Sequence, residues 1–264
     1  MMKRLLKTPA GETEIVFPEP GDFASFFLFA MHKSGSTLMY SMMKAALPAA
    51  GVPVIDLPLA AFKNGLPGNK VLNPRELIME RGYCYCGFRN FPKYLRKFDL
   101  TKNKKILLVR DPRDMLVSFY FSMANSHNLP KTGVVRDAML TSRTDAKNSD
   151  IDEYCLEKVI KFKTEFSGYR HFSESEIWVI RYEDVVFRKL EWLTEMLAYF
   201  SISVDPDKLK AIAEKHDVRP DAERPDMHIR QVVPGNFRKH LSAATIEKLN
   251  SEFAVEMRQY GYEP

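Results

Sequence analysis

Five short apolar runs recur along the chain, each bounded by polar or turn-forming residues: Phe26–Met31, Val52–Ile55, Tyr83–Phe88, Lys105–Val109 and Glu176–Ile180. Their lengths suit buried strands, and Lys105–Val109 is apolar almost throughout, as a central strand of a parallel sheet is. Between them lie stretches with helical spacing: Leu38–Leu47, stopped by Pro48; a helix carrying Met115, Leu116, Phe119, Tyr120 and Met123; Ile151–Ser167; Val185–Phe200; Pro206–Lys215; and Ser242–Tyr260. Asp111 is a natural N-cap for the second of these, Pro112 fits its first position, and Asp114 sits in its first turn. Strands alternating with helices predict an α/β chain: a P-loop-like three-layer fold with a central, mainly parallel five-stranded sheet and helices on both faces. Residues 1–264 read as one domain. Residues 1–22, with Pro9, Pro18 and Pro20, read as a leader packed on the surface. Residues 57–75 read as an irregular segment, and the polar stretch 126–150 as a mobile loop or lid.

On such a sheet, ligands gather at the carboxyl ends of the strands. Three polar clusters fall there: Lys33–Thr37, Arg110–Asp114 and Arg181–Asp184. The first joins a strand to a helix through a tight loop. Backbone N–H groups and the positive helix end then face an anion, and Lys33 adds a full charge. The usual triphosphate loop, aligned on Lys33, would need glycines at 27 and 32; Phe27 and His32 stand there, and Gly35 follows the lysine. A solvated lysine in a Ser/Gly turn is the plainer alternative.

Charge narrows the partners. A net charge of +5 suits an anionic small molecule and does not indicate nucleic acid. Three cysteines, of which Cys84 and Cys86 share one strand face, argue against a disulfide scaffold and for a reducing compartment. No His or Cys stands at ligand spacing beside that pair, so no metal site is expected. The basic N-terminus lacks an apolar core of signal-peptide length. No run of about 18 apolar residues offers a membrane span. The expected location is cytoplasmic.

Three motifs, in order, resemble the sulfotransferases that use 3′-phosphoadenosine-5′-phosphosulfate (PAPS). His32-Lys-Ser-Gly-Ser-Thr-Leu38 is similar to the family's 5′-phosphosulfate loop. Val109-Arg-Asp-Pro-Arg-Asp-Met-Leu-Val-Ser-Phe-Tyr120 is similar to its 3′-phosphate motif, with Arg110 at a strand end and Ser118 eight residues on. Arg230-Gln-Val-Val-Pro-Gly-Asn-Phe-Arg238 resembles its late basic segment, and Arg181-Tyr-Glu-Asp184 its Y-E-D turn, whose tyrosine sits near adenine.

The resemblance implies a cofactor-binding set of Lys33, Ser34, Gly35, Ser36, Thr37, Leu38, Arg110, Ser118, Tyr182, Arg230, Gln231 and Val232. It implies sulfuryl transfer from PAPS to a hydroxyl or amine acceptor, giving 3′,5′-adenosine bisphosphate (PAP), with no metal required. PAPS carries negative charge at both ends, which one cation-bearing loop and one guanidinium–hydroxyl pair would grip. The chain departs from the family pattern where His32 replaces a proline, Leu38 a tryptophan, and Gln231 and Val232 a lysine and a glycine.

Lys33 is placed to meet the charge that builds on the departing phosphate oxygen. The base for the acceptor is less determined. Arg89 and Asn90 stand where many family members carry a histidine after the third strand. Asp56, directly after Val52–Ile55, is the expected base, with a capping aspartate as the plain alternative. His127 lies about 13 Å along the helix from Ser118, and Glu80 precedes a strand at the far edge. The expected acceptor is a small lipid-like, glycosidic or aromatic hydroxyl. Competing readings are a P-loop kinase-like phosphotransferase and a non-catalytic PAP-binding protein.

Overall fold

The structure, a computed structural model, describes residues 1–264 except 127, 174, 225, 226 and 228. The chain opens on a hairpin where the sequence predicts a surface leader. Residues 1–22 are not merely a surface leader: β1 (Met2–Thr8) and β2 (Gly11–Phe17) form an antiparallel hairpin. Its period-two pattern turns Leu6 and Thr8 on one strand, and Ile15 and Phe17 on the other, into the protein. The prolines that suggested a loop lie only in the turn and after the second strand.

The central sheet follows the sequence reading closely. It contains β3 (Phe26–Ala30), β4 (Val54–Ile55), β5 (Cys84–Phe88), β6 (Lys105–Val109) and β7 (Trp178–Arg181). Their order is β4-β5-β3-β6-β7, and every pair is parallel. All five residues of β3 are buried, because both faces of the sheet are covered. Phe27 and Phe29 enter one core and Phe26, Leu28 and Ala30 the other. Cys84 and Cys86 face the second core, and all three cysteines are free and buried.

The helices flanking the sheet begin with α1 (Ser36–Ala46), α2 (Leu57–Lys63), α3 (Pro74–Leu77) and α4 (Pro112–Phe121). They continue with α5 (Val134–Asn148), α6 (Ile151–Glu157), α7 (Val159–Ser167), α8 (Tyr182–Val185) and α9 (Lys189–Tyr199). Then come α10 (Pro206–His216), α11 (Phe237–His240), α12 (Ala243–Glu252) and α13 (Ala254–Gln259). Met39, Met42 and Met43 of α1 pack with Trp192, Leu193 and Met196 of α9 on one face of the sheet. Leu116 of α4, Phe162 and Phe166 of α7, and Leu249 of α12 fill the other.

The polar stretch expected as a loop at 126–150 instead carries the 15-residue helix α5. Only Ala146 is buried along it, so its polar sequence is that of a solvated helix. The long helices expected at Ile151–Ser167 and Ser242–Tyr260 are each interrupted once, at Lys158 and at Phe253. Among the described residues, no helix is long and apolar enough to cross a membrane.

Candidate functional site

The loop after β3 reverses sharply. Lys33 adopts φ +64° and Gly35 φ +92°, both left-handed. Ser34 stabilises the reversal: its hydroxyl donates to the Met31 carbonyl at 2.8 Å, and its backbone N–H follows at 3.3 Å. Gly35 is demanded twice. Its backbone favours glycine, and a Cβ there would stand 2.7 Å from the ring of Tyr182. Gly35 also caps α1 with no side-chain bond to the helix N–H groups, so the helix's first turn opens toward the space in front of the loop.

That space is a cavity of about 440 Å³. Lys33, Gly35, Ser36, Thr37 and Leu38 line it from the loop, Arg110 and Ser118 from β6 and α4, and Tyr182, Gln231 and Val232 from the far side. Arg230 lies just beyond, in a narrow adjoining pocket shared with Lys33, Arg110, Ser118 and Gln231. The loop and the Arg110–Ser118 pair, 77 residues apart at Lys33 and Arg110, thus face one space. Of the predicted cofactor-binding set, Arg230 stands in the adjoining pocket and Ser34 is off both walls, fully buried against Met31.

Arg110 is buried and held from several sides. It donates to Asp114 Oδ2 at 3.0 Å and to the Lys33 carbonyl at 3.4 Å, and its guanidinium lies 4.5 Å from the Tyr182 ring centre. Burial works against its charge, but Asp114, Tyr182 and Glu183 more than offset that and raise its pKa. Its Nε is buried with no partner among the described residues, an orphan donor beside the cavity. Asp114 also accepts from the backbone N–H groups of Gly235 at 2.8 Å and Phe237 at 2.9 Å. One carboxylate thereby ties the arginine to the late segment.

Positive charge is crowded here. Burial first, then Arg89, Arg110 and Arg230, lower the Lys33 pKa to about 7. Arg230 is lowered to about 10 by burial and by Arg110. Glu223 pairs with it, and Phe121 lies 4.3 Å beneath its guanidinium. Such mutual repulsion between cations is the electrostatic imprint of a site shaped for anions.

Asp56 is not on the cavity wall. It caps α2 by accepting from the Leu59 N–H at 2.8 Å and pairs with Lys44 of α1. His127 lies outside the described residues. His32 and Arg89, named in the sequence without a site role, and Lys189 and His216, not singled out there, also line the cavity. Arg89 donates to Ser36 Oγ at 3.2 Å, and its position at the end of β5 was the available signal. Lys189 is buried against the Val186 carbonyl and Asp217, a placement that only the tertiary fold reveals.

The chain belongs to the sulfotransferase domain family, whose pattern matches residues 90–261. Its fold is similar to that of mouse sulfotransferase SULT7A1 complexed with PAP, at 17% identity and a TM-score of 0.59, over 90% of this chain and 86% of that one. It is also similar to retinol dehydratase in complex with androsterone and inactive cofactor PAP, at 14% identity and a TM-score of 0.52, over 93% and 84% of the two chains. Comparison with curated protein sequences gave no match.

Proposed function

We propose that this protein transfers the sulfuryl group of PAPS to a hydroxyl of a small lipid-like or glycosidic acceptor. One observation carries the reading: Lys33, on an uncapped strand–loop–helix turn, and the Arg110–Ser118 pair line a single cavity of about 440 Å³. That volume is of the size that holds small ligands. These two anion-binding groups suit the two phosphate ends of an adenosine bisphosphate. The orphan Nε of Arg110 and the open first turn of α1 are donors that a phosphate would satisfy. Two relatives in fold were solved with PAP, which supports the same choice of nucleotide.

In this reading, Ser36, Thr37 and the α1 N–H groups hold the 5′-phosphosulfate end. Arg110, Ser118 and Arg230 hold the 3′-phosphate, while Tyr182 and Leu38 flank the adenosine. PAPS supplies an activated sulfuryl group on a phosphate leaving group. Lys33 meets the negative charge that develops on the departing oxygen. The lysine and arginines supply the charge that a metal provides in other phosphate sites, so turnover is expected to persist in chelator. Val218 and Ile229 add an apolar side to the cavity for the acceptor. Three free cysteines support a reducing, cytoplasmic setting.

Calorimetric titration with PAP, together with transfer of label from PAPS to a panel of aryl, alkyl and sterol alcohols, tests this directly. The native protein should bind PAP and label at least one alcohol. Lys33→Ala should keep its circular dichroism spectrum and lose about 10²–10³-fold in turnover, the size of effect seen on removing one charge-stabilising donor. Absence of PAP binding, or full turnover in Lys33→Ala, would contradict the proposal.

A further inference from the structure

The transfer needs a group to take the acceptor's proton, and the cavity wall contains one next to Lys33. His32 lines the cavity, and its side chain is 26% exposed. Glu165, buried in α7, stands behind it: Nδ1 lies 2.8 Å from Oε1, and the His32 backbone N–H donates to Oε2 at 3.3 Å. The backbone bond holds the carboxylate in place beside the ring, where it makes a close ion-pair contact with Nδ1. Among the described residues no protein group bonds to Nε2. An imidazole with one nitrogen in close contact with a carboxylate and the other open to the cavity has the placement of a general base.

The alternatives have other partners. His216 also lines the cavity, but its Nδ1 lies on the Ile212 carbonyl of its own helix, and no carboxylate pairs with it among the described residues. His240 contacts Glu223 but does not line this cavity; Glu165, like Glu223, is also shared with a cation, Lys161. Asp56 is committed to α2 and Lys44.

We infer that His32, oriented by Glu165, is the catalytic base that accepts the acceptor's proton at Nε2. This rests on the sulfotransferase reading above. The acceptor oxygen forms its bond to sulfur as its O–H proton passes to Nε2. The bond from sulfur to the phosphate oxygen breaks, and that oxygen keeps the electron pair, facing Lys33. Atoms and charge balance with PAP and the sulfate ester as products, and His32 returns its proton to water.

The charged groups around the imidazole are Glu165 and Lys161 from α7 and Arg89 from the end of β5, besides neighbouring Lys33. Burial chiefly, with Lys161 and Arg89, lowers the His32 pKa, while Glu165 opposes them. The ring is therefore neutral and able to accept a proton near pH 7.

The test uses His32→Gln, His32→Ala, Glu165→Gln and Asp56→Asn in the full chain. Turnover of labelled PAPS is followed with the best alcohol of the panel, and PAP affinity is measured for each variant. His32→Gln should bind PAP within threefold of native while kcat falls about 10²–10⁴-fold. The acid limb of its kcat–pH profile should vanish, and free imidazole should restore part of the rate in His32→Ala. Glu165→Gln should retain more activity and shift the acid limb to lower pH, because the carboxylate that raised the imidazole pKa is gone. Turnover in His32→Gln within threefold of native, or an unchanged acid limb, overturns the assignment and leaves the transferase reading standing. A loss confined to Asp56→Asn returns the role to that residue. PAP binding by a native protein that transfers no label overturns both readings.

Discussion

At the scale of single residues, Lys33 is the most informative group. Its pKa near 7 belongs to the ligand-free cavity, where burial and three arginines disfavour the ammonium. An anion placed among these cations reverses the balance and raises that pKa. The complex then holds a proton that the free protein lacks above pH 7, so binding there must take one up. PAP affinity is expected to fall as pH rises through 7, by at most about tenfold per unit for one proton. Calorimetry at pH 8 in buffers of different ionisation enthalpy should record uptake approaching one proton, declining toward zero at pH 6. Identical heats in all buffers at pH 8 would remove Lys33 from the binding step. The sequence exposed this lysine because a cation in a strand–loop–helix turn has local meaning. It could not expose the depressed pKa, since Arg89, Arg110 and Arg230 reach the lysine only through the fold. Asp114 was legible as a first-turn carboxylate, yet its three partners at Arg110, Gly235 and Phe237 were not.

At the scale of elements, the loop before α1 is coupled to α8 by close packing. Gly35 lies against Tyr182, and the Tyr182 hydroxyl donates to the Val232 carbonyl at 3.0 Å. Loop, aromatic ring and late segment therefore move together or not at all. Gly35→Ala combines backbone strain with a clash against a buried ring and should cost more than about 1 kcal/mol. PAP affinity should fall at least tenfold, because the loop must shift to admit the methyl group. Gly51→Ala is the matched control: it shares a left-handed φ of +70° but meets nothing within 4 Å. It should carry the strain cost alone and bind PAP as the native protein does. Equal PAP affinity in both variants would show that the Tyr182 contact does not shape the loop. The β3–α1 and β6–α4 units were legible because each is local: an apolar run, a capping or glycine turn, then helical spacing. Helix α5 was hidden because it presents little apolar face, and hydrophobic spacing is the signal by which helices are found.

At the scale of the whole molecule, the hairpin and the central sheet share one core. Leu6, Ile15 and Phe17 belong to the same buried cluster as Tyr85 of β5 and Leu116 of α4. Phe17 meets Tyr83 edge-on at 5.5 Å. Polar contacts follow the same seam: the Asn73 side chain donates to the Leu5 carbonyl at 2.8 Å and accepts from the Lys7 N–H at 3.0 Å. The alternation in β1 and β2 was present in the sequence, but it occupies only a few positions and the surrounding prolines masked it. Shared burial predicts a single cooperative unit. Truncating Phe17 to alanine should cost about 3–5 kcal/mol, the range for deleting a buried aromatic ring. At roughly 2–4 °C per kcal/mol for domains of about 150–250 residues, Tm should fall by about 6–20 °C. The loss should appear in one transition, with far-ultraviolet and tyrosine signals coincident. PAP affinity of the folded fraction should stay within twofold of native, because neither strand of the hairpin lines the cavity. A separate early transition with the main one unmoved would make the hairpin an appendage rather than part of the domain.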